Sequence, residues 1–468
     1  MLIIISLQFA VIVSMVLASR RGLENTLPVF AFWVVLMPLE SRLVVPGIGD
    51  FNTMRVALLT LLILYLRNKG ERTEKPIPLK SLMMLHVSWA LLSTLYSLSV
   101  VTSIKQLVSQ VVEYYLLYFL FIRIITRLET LYKVVYAMAI AMTVCSSFSL
   151  LEAYANWSIL RIFPANLWIT YNGGLDPLYI EWGRGLRVRS TFPHPILFGD
   201  ALAMCIPLTL YLLSVWKVKW QRNVLWLSLA LMFWAIYKTS SRGPWIATGL
   251  CSFLLFFLIN SRIRKYLTVF AIAGLIVVVS RPGIQQTIEG LYDSTTDSAS
   301  PVGASYLYRD ALMQAIKLAV AHDTTRTLLG YGLGTFREIG LDITFLDVTQ
   351  RWYTCDDNWA AFLYETGYVG LLIIGVLLAS PLWIAFRSYR QLPKPENQLS
   401  GVLLIALLGF GFLLMSVAGY SWGQQGYMAW ILISLVVCHS TLGEQKAAPV
   451  EVIDEETRGV EEYDLSVA

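Results

Sequence analysis

The chain has 468 residues, of which 56% are hydrophobic and only 14% are charged, and its mean hydropathy is +0.61. A soluble domain carries about 25% charged residues, so this composition excludes an ordinary soluble protein. The net charge of +5 identifies no partner by itself. Apolar windows long enough to span a bilayer recur along the chain, whereas a transmembrane β-barrel would show alternating segments of about 10 residues. The composition therefore predicts an all-α polytopic integral membrane protein.

The apolar windows predict about 12 or 13 transmembrane helices, because the second and third windows are short. The first window lacks a basic leader and an A-x-A site, so we expect a retained helix and not a cleaved signal peptide. The predicted helices lie near 1–19, 27–39, 54–66, 81–101, 106–125, 131–151, 195–215, 223–240, 243–260, 265–281, 359–385, 400–419 and 424–441.

Basic residues concentrate in alternate loops, and the positive-inside rule places those loops in the cytoplasm. The opposite side then receives a long segment that contains a predicted amphipathic helix near 305–322. The acidic C-terminal tail has no apolar periodicity, so we expect it to be disordered in the cytoplasm. The predicted parts are an N-terminal transmembrane bundle at 1–281, a large external loop at 282–358, C-terminal transmembrane helices at 359–442 and the tail at 443–468.

Arg242 lies in the short turn KTSSRGPW, on the side predicted to be non-cytoplasmic. An arginine at a helix end often extends to the lipid head groups, which is one interpretation. The other is a phosphate-binding residue, because a guanidinium binds phosphate oxygens with two hydrogen bonds and stays charged. Ser241 and the first N–H groups of the following helix would add donors to such an anion site.

A second basic stretch, WGRGLRVRSTFPHPILFGD, precedes the helix predicted to begin near Pro195. It is either a solvated basic loop or a site for a polyanionic head group beside the bilayer. Asp200, one turn inside the helix, is expected to pair with one of the arginines, as intramembrane acids usually do. The candidate residues of this stretch are Arg184, Arg187, Arg189 and His194.

The stretch YTCDDNWAAFLYETGYVG places Asp356 and Asp357 directly before a long apolar run. Acids at this position either cap the membrane helix or act as a general base at a low-dielectric boundary. Glu365 lies about two turns inside the predicted helix, where an unpaired charge is costly. We expect Glu365 to pair with an arginine or to be protonated.

Four stretches together resemble the bacterial O-antigen ligase and polymerase superfamily, the Wzy-type membrane glycosyltransferases of the GT-C class. The resemblance covers about 186–375 and implies a GT-C-like fold with one long periplasmic loop between late helices. The stretches are RSTFPHPILFGDALAMCIPL, KTSSRGPWIATGL, YLYRDALMQAIKLAV with LLGYGLGTF, and DNWAAFLYETGYVGLL.

The resemblance implies a function at the periplasmic face of the bacterial inner membrane. The family moves a glycan from undecaprenyl diphosphate to an acceptor hydroxyl; ligases use lipid A–core and polymerases use another lipid-linked repeat unit. The stretch HPILFG and the Asp-Asn-Trp sequence that begins the last stretch resemble family members from exopolysaccharide gene clusters. This similarity favours a polymerase. The sequence has no nucleotide-binding or metal-binding motif, so we expect no cofactor, no metal and no nucleic acid. The expected partners are the glycan donor and acceptor, membrane lipids, and a chain-length regulator or export proteins.

The resemblance also assigns roles to single residues. Arg242 corresponds to the family's arginine in T-x-S-R-G and would hold the diphosphate. Arg309 corresponds to the basic residue at the start of the loop helix; the alternative interpretation is an ordinary solvated helix face. Asp357 stands where the family has a histidine, and a carboxylate could still accept the acceptor's proton.

The resulting hypothesis is an inverting glycosyl transfer. Arg242 stabilises the leaving diphosphate, with help from the arginines at 184, 187 and 189, and Asp357 or Asp356 activates the acceptor. Trp352 and Trp359 would stack on the sugars. Two alternatives remain open: a transporter for a lipid-linked glycan, and a non-catalytic component of a polysaccharide export system.

Overall fold

The computed structural model contains long helices joined by short hairpins and turns, and this architecture confirms the predicted all-α polytopic membrane fold. Arg184 and the tail beyond residue 447 lie outside the described residues. The structure describes residues 1–45, 49–68, 76–167, 176–181, 185–280, 301–345, 348–421 and 423–447.

The N-terminal helices form a bundle in which the fifth and sixth helices are joined by one π-helical turn, Val111–Tyr115. These helices are α1 (Leu2–Ser19), α2 (Thr26–Leu36), α3 (Thr53–Arg67), α4 (Lys80–Leu95), α5 (Val100–Gln110), α6 (Leu116–Ile124), α7 (Leu128–Ala155), α8 (Pro195–Val215), α9 (Lys219–Lys238), α10 (Arg242–Leu258) and α11 (Ser261–Ser280).

The C-terminal part begins with a long helix of the external segment and returns to the bundle through a 34-residue helix. Its helices are α12 (Pro301–Val320), α13 (Thr324–Leu329), α14 (Thr335–Ile339), α15 (Asn358–Gln391), α16 (Asn397–Leu413) and α17 (Gly423–Ala447).

Among the described residues, six helices are long and apolar enough to cross a membrane. Other predicted spans are shorter helices, such as α3 with 15 residues and α4 with 16 residues. The chain is therefore a multi-pass membrane protein. The six helices are Leu2–Ser19, Val100–Ile124, Leu128–Ala155, Pro195–Val215, Asn358–Gln391 and Gly423–Gln445.

Helix α8 lies at the centre of the bundle, where it packs against α7, α9, α10 and α16. The apolar window of α8 is 94% buried. Small residues allow such close packing between membrane helices. A Cβ atom on Gly199 would lie 2.7 Å from the ring of Pro244, so glycine is needed for α8 and α10 to approach at this point. The close approach brings the N-termini of α8 and α10 together.

Several basic loops meet at the other end of these helices. Arg262, after α10, donates to the carbonyl oxygen of Ser214 at the end of α8 (3.1 Å). Asn260 donates to Gln398 at the start of α16 (2.8 Å). The loops that follow α8, α10 and α15 therefore lie at one end of the bundle, which we call the basic end. The N-termini of α8 and α10 lie at the opposite end.

Three short antiparallel hairpins, which the sequence analysis did not predict, extend from the loops. Strands of three to five residues give too few positions for an alternating pattern to be recognised. In β3–β4 Tyr179 pairs with Arg187, and in β5–β6 Leu341 pairs with Trp352. The strands are β1 (Arg42–Val45), β2 (Gly49–Asn52), β3 (Tyr179–Glu181), β4 (Gly185–Arg187), β5 (Leu341–Phe345) and β6 (Val348–Trp352).

Helix α15 is broken at Gly367, which has a φ of 67°. A break of this kind frees carbonyl groups of the preceding turn, and buried carbonyls need new partners. Tyr331 and Gly332 supply them, because their N–H groups donate to the carbonyl oxygens of Tyr364 (2.9 Å) and Glu365 (2.8 Å). The glycine-rich segment before α14 is therefore fixed to the membrane helix at its kink.

Candidate functional site

A cavity of about 270 Å³ lies at the end of the bundle opposite the basic end, beside the N-termini of α8, α10 and α15. Segments that are far apart in the sequence contribute its side chains, including the β3–β4 hairpin, α12 and the loop after α16. Its lining contains six residues that the sequence analysis singled out: Arg187, His194, Ser241, Arg242, Arg309 and Asp356.

Arg187 connects the β3–β4 hairpin to the start of α10. Its side chain is 2% exposed and forms an ion pair with Glu181. Its Nη2 donates to Oγ of Ser241 (2.6 Å), and its Nε donates to the carbonyl oxygen of Thr239 (2.9 Å). The guanidinium also lies over the Tyr179 ring, at 5.6 Å from the centroid. Arg187 therefore fixes the turn that carries the next arginine.

Arg242 is the first residue of α10, directly after the N-cap residue Ser241. It is partly exposed and lines the cavity. The N–H groups of the first helical turn have no helical acceptor and attract anions. Gly243 lies against the loop after α16, where a Cβ atom would be 3.3 Å from Ser416. The start of α10 thus combines a guanidinium with helix-terminal N–H groups at the cavity wall.

His194 caps α8 and faces the same cavity. Its Nδ1 accepts a hydrogen bond from the N–H of Ile196 (3.1 Å), and its Nε2 lies 2.9 Å from the hydroxyl of Tyr179. Because Nδ1 is an acceptor, a neutral ring carries its proton on Nε2 and donates it to the tyrosine oxygen. The predicted substrate-binding histidine is therefore held in place by the helix and the hairpin.

Arg309 reaches the cavity from α12. Its Nη2 donates to the carbonyl oxygen of Ser416 (3.1 Å). Its Nε is buried and has no hydrogen-bond partner among the described residues. The residue lines the cavity, so its guanidinium lies at the cavity wall. Arg309 thus offers a donor to an anion there.

Of the two candidate acids, Asp356 is the one that lines the cavity. It also lines a second cavity of about 110 Å³, so its carboxyl group lies where the two cavities meet. Burial raises the pKa of Asp356, and the positive charge of Arg309 opposes this shift in part. A carboxylate with a raised pKa is a stronger base than an exposed one.

Asp357 has a different role in the structure. Its Oδ1 accepts hydrogen bonds from the N–H groups of Trp359 (2.7 Å) and Ala360 (3.0 Å), so it is the N-cap of α15. Burial raises the pKa of Asp357, while these two N–H groups and Arg309 oppose the shift. Asp356 therefore lines the cavity, whereas Asp357 caps the helix.

Arg189 does not line the cavity of the other candidate arginines. It is 1% exposed, and its guanidinium donates to the carbonyl oxygens of Pro177 (2.6 and 3.0 Å) and Pro193 (2.9 Å). Burial lowers its pKa. Arg189 therefore ties the ends of the 177–193 segment together and is not placed to bind a substrate.

The two candidate tryptophans also lie away from the cavity lining. The Trp352 ring packs against Tyr308, with 4.5 Å between the ring centroids. The Trp359 ring packs against Phe362 at 6.1 Å. Both rings contact neighbouring aromatic side chains of the protein and are partly exposed, so their stacking on sugars stays a prediction.

The predicted ion pair of Asp200 is wrong, and of the two states predicted for Glu365 the arginine pair is not found among the described residues, while protonation stays a prediction. The Oδ2 atom of Asp200 accepts from Gln425 (3.2 Å), and no arginine pairs with it among the described residues. The Glu365 carboxylate accepts from the backbone N–H groups of Gly334 and Phe336. Glu365 lines the 110 Å³ cavity together with Asp356.

The sequence analysis missed three residues of the cavity: Tyr179, Glu181 and Ser416. Each lies in a short strand or loop without periodicity, so no local signal could identify it. Tyr179 orients His194, Glu181 pairs with Arg187, and the carbonyl of Ser416 accepts from Arg309. They position the candidate residues.

Residues 227–375 match a family model, Wzy_C, described as O-antigen ligase. This part of the chain is similar to an O-antigen ligase domain. This match confirms the predicted resemblance to the O-antigen ligase and polymerase superfamily and supports a glycan-transfer function of the ligase or polymerase type. No curated protein matches the chain.

The residues that match the family model supply only part of the cavity. Arg242, Arg309 and Asp356 lie within the matched residues, whereas Arg187 and Ser416 lie outside them. The part of the chain that the structure describes has no group of three or more histidine, cysteine or acidic side chains arranged to hold a metal ion.

Proposed function

We propose that the protein transfers a glycan from undecaprenyl diphosphate to an acceptor hydroxyl at the periplasmic face of the bacterial inner membrane. The observation that carries this proposal is the 270 Å³ cavity, in which Arg242 and Arg309 face Asp356. The guanidinium groups can stabilise a departing diphosphate, and the carboxylate can accept a proton from a hydroxyl group. The cavity therefore suits a reaction that needs both.

The arginines would bind the leaving group. Negative charge grows on the diphosphate as its bond to the sugar breaks, and fixed guanidinium groups stabilise that charge more in the transition state than in the ground state. Arg242 adds the N–H groups of α10 to this site, and Arg309 adds a second guanidinium. Arg187 would act indirectly, by holding Ser241 and the turn before Arg242.

Asp356 would be the general base. The acceptor hydroxyl attacks the anomeric carbon from the face opposite the diphosphate, its proton passes to the Asp356 carboxylate, and the bond from that carbon to the diphosphate oxygen breaks. This sequence inverts the configuration at the anomeric carbon. Asp356 is preferred to Asp357 because the Asp357 carboxylate already accepts two helix N–H groups.

The proposed reaction polymerises lipid-linked repeat units, as the HPILFG and Asp-Asn-Trp stretches favour. A purified full-length chain in lipid nanodiscs should extend an undecaprenyl-diphosphate-linked repeat unit into a ladder of products without another protein. Lipid A–core in place of the second repeat unit tests the ligase alternative. No product from either acceptor, with carrier-lipid binding intact, would contradict the proposal and favour a transport or export component.

Arg242→Lys provides the residue-level test. Lysine keeps the positive charge but cannot form the bidentate contact with phosphate, so we expect the rate of glycan transfer to fall at least about tenfold. Arg351→Lys is the matched control, because Arg351 pairs with Asp342 on the exposed β5–β6 hairpin. Wild-type rates in Arg242→Lys would contradict the role of this arginine.

A further inference from the structure

A cavity of about 430 Å³ lies at the basic end of the bundle, between the C-terminus of α8 and the starts of α9 and α11. Helix α8 has 21 residues and is therefore roughly 30 Å long. The length of α8 thus separates this cavity from the 270 Å³ cavity, which lies beside the N-terminus of the same helix. The charged and aromatic side chains that line it are Trp216, Lys217, Arg222, Arg262 and Tyr266.

The lining of this cavity is basic. Lys217, Arg222 and Arg262 contribute positive charge, and none of the described residues that line the cavity is acidic. Arg262 is held in position, because its Nη1 donates to the carbonyl oxygen of Ser214 (3.1 Å). Among the described residues, none of the three cations forms an ion pair with an acidic side chain. Such a cavity attracts an anion, and guanidinium groups bind phosphate oxygens with favourable geometry.

Two aromatic side chains indicate that the cavity lies at the depth of the lipid head groups. Trp216 directly follows α8, and its ring stacks on Tyr136, with 5.0 Å between the ring centroids. Tyr266 lies near the start of α11 and packs edge-on against Trp226 at 5.2 Å. Tryptophan and tyrosine are enriched where membrane helices leave the hydrocarbon region. The cavity therefore lies at the boundary between hydrocarbon and water.

Apolar surface continues along α11 beyond the cavity. Val269 is 55% exposed and Ile272 is 54% exposed, and both lie further from the basic end than Tyr266. A soluble phosphate compound would leave this surface uncovered, whereas the hydrocarbon chain of a lipid would cover it. The ligand expected here therefore has an anionic head and an apolar tail.

We propose that this cavity binds an anionic glycerophospholipid of the bilayer, such as phosphatidylglycerol. Phosphate oxygens of the lipid contact Arg222 and Arg262, Lys217 adds a third positive charge, and the acyl chains lie along α11. The positive-inside rule predicts that the basic end faces the cytoplasm, so the lipid belongs to the leaflet on that side. The site goes beyond the proposed glycan transfer and does not depend on it, because it shares no lining residue with the 270 Å³ cavity.

Native mass spectrometry of the full-length chain tests the site without any turnover. Phosphatidylglycerol and phosphatidylcholine with the same acyl chains are titrated into the protein in detergent. The wild-type protein should bind phosphatidylglycerol at least about fivefold more tightly, and Arg222→Gln should lose this preference. Arg264→Gln is the matched control, because it removes the same charge near the start of α11 from an exposed residue that does not line the cavity. The control should keep the preference.

A second variant keeps the test decisive if Arg222→Gln does not fold. Lys217 is exposed in the loop between α8 and α9, so Lys217→Gln should fold normally and lower the affinity for phosphatidylglycerol about fivefold. An unchanged affinity in this variant would contradict the site.

Three other outcomes would overturn the proposal. Equal affinities of the wild type for the two lipids would show that the cavity does not select an anionic head group. An equal loss of the preference in Arg264→Gln would indicate a general attraction of lipids to the basic end. Displacement of phosphatidylglycerol by an equal concentration of glycerol 1-phosphate would identify a soluble phosphate ester as the ligand instead of a lipid.

Discussion

The Nη2 atom of Arg187 donates to Oγ of Ser241 at 2.6 Å, and this contact joins a hairpin outside the matched family domain to the helix start inside it. The same guanidinium reaches the carbonyl oxygen of Thr239. Ser240, between these two acceptors, has a φ of 47°, which is uncommon for a residue other than glycine. The buried guanidinium group of Arg187 thus holds the turn before Arg242 in an unfavourable backbone conformation.

Arg187→Lys should destabilise this turn. A lysine cannot reach both acceptors and Glu181 together, so at least one buried polar group loses its partner, at a cost of about 1–3 kcal/mol. Thermal unfolding of the purified protein should shift downward, and glycan transfer should fall with it. An unchanged unfolding temperature would show that Arg187 does not hold the turn.

Asp356→Asn and Asp357→Asn should separate the two adjacent acids. Asparagine cannot accept the hydroxyl proton, so Asp356→Asn should lower the transfer rate by about 10²–10⁴-fold. Asparagine is a good N-cap, so Asp357→Asn should keep both stability and most of the activity. Product formation and unfolding are measured in parallel for both variants. The reverse order of activity loss would identify Asp357 as the base.

The pH dependence of activity should follow Asp356. Its pKa is raised above the usual value of 3.8 by burial, so the base form is lost as the pH falls through this raised value. The acid limb of the pH–rate profile should therefore lie above pH 3.8. Asp356→Asn should abolish this limb, whereas Asp357→Asn should retain it. A limb that persists in Asp356→Asn would belong to another group.

Stability should change with pH in the opposite sense to activity. A carboxyl group whose pKa is higher in the folded state than in the unfolded state favours folding when protonated, and this stabilisation is lost as the pH rises through the folded-state pKa. Wild-type protein should therefore gain stability relative to Asp356→Asn as the pH falls from 7 toward about 4. Unfolding curves of both proteins at the two pH values measure the difference. An equal response to pH in both proteins would contradict the raised pKa.

The membrane fold was predictable because it depends on apolar length and composition, which are local properties of the sequence. The start of α8 at Pro195 was also predictable from the His-Pro pair at 194–195 and the apolar run that follows. The pairing of buried polar groups was not predictable in this way. Asp200 meets Gln425 because α17 packs beside α8, and its position there depends on the whole bundle.

The site was predictable only as a set of separate candidates. Arg242, Arg309 and Asp356 could be chosen for their charge in unusual places, but their common cavity depends on how the bundle brings α10, α12 and the start of α15 to one place. Arg189 has the same sequence context as Arg187, yet one is enclosed by carbonyl groups and the other reaches the cavity. The different roles of two arginines so close in the sequence can be assigned only when the conformation of the loop is known.

The kink in α15 yields a prediction about folding. Gly367 has a φ of 67°, and a Cβ atom there would lie 2.2 Å from the carbonyl oxygen of Leu328. Gly367→Ala should therefore separate the glycine-rich segment from α15 and destabilise the protein by more than about 1 kcal/mol, since both the backbone conformation and the contact are lost. Gly375→Ala is the matched control on the same helix, because no atom lies within 4 Å of its added Cβ and alanine favours helix by up to about 1 kcal/mol. Thermal unfolding should fall for the first variant and stay or rise for the second; equal values would show that the kink does not depend on glycine.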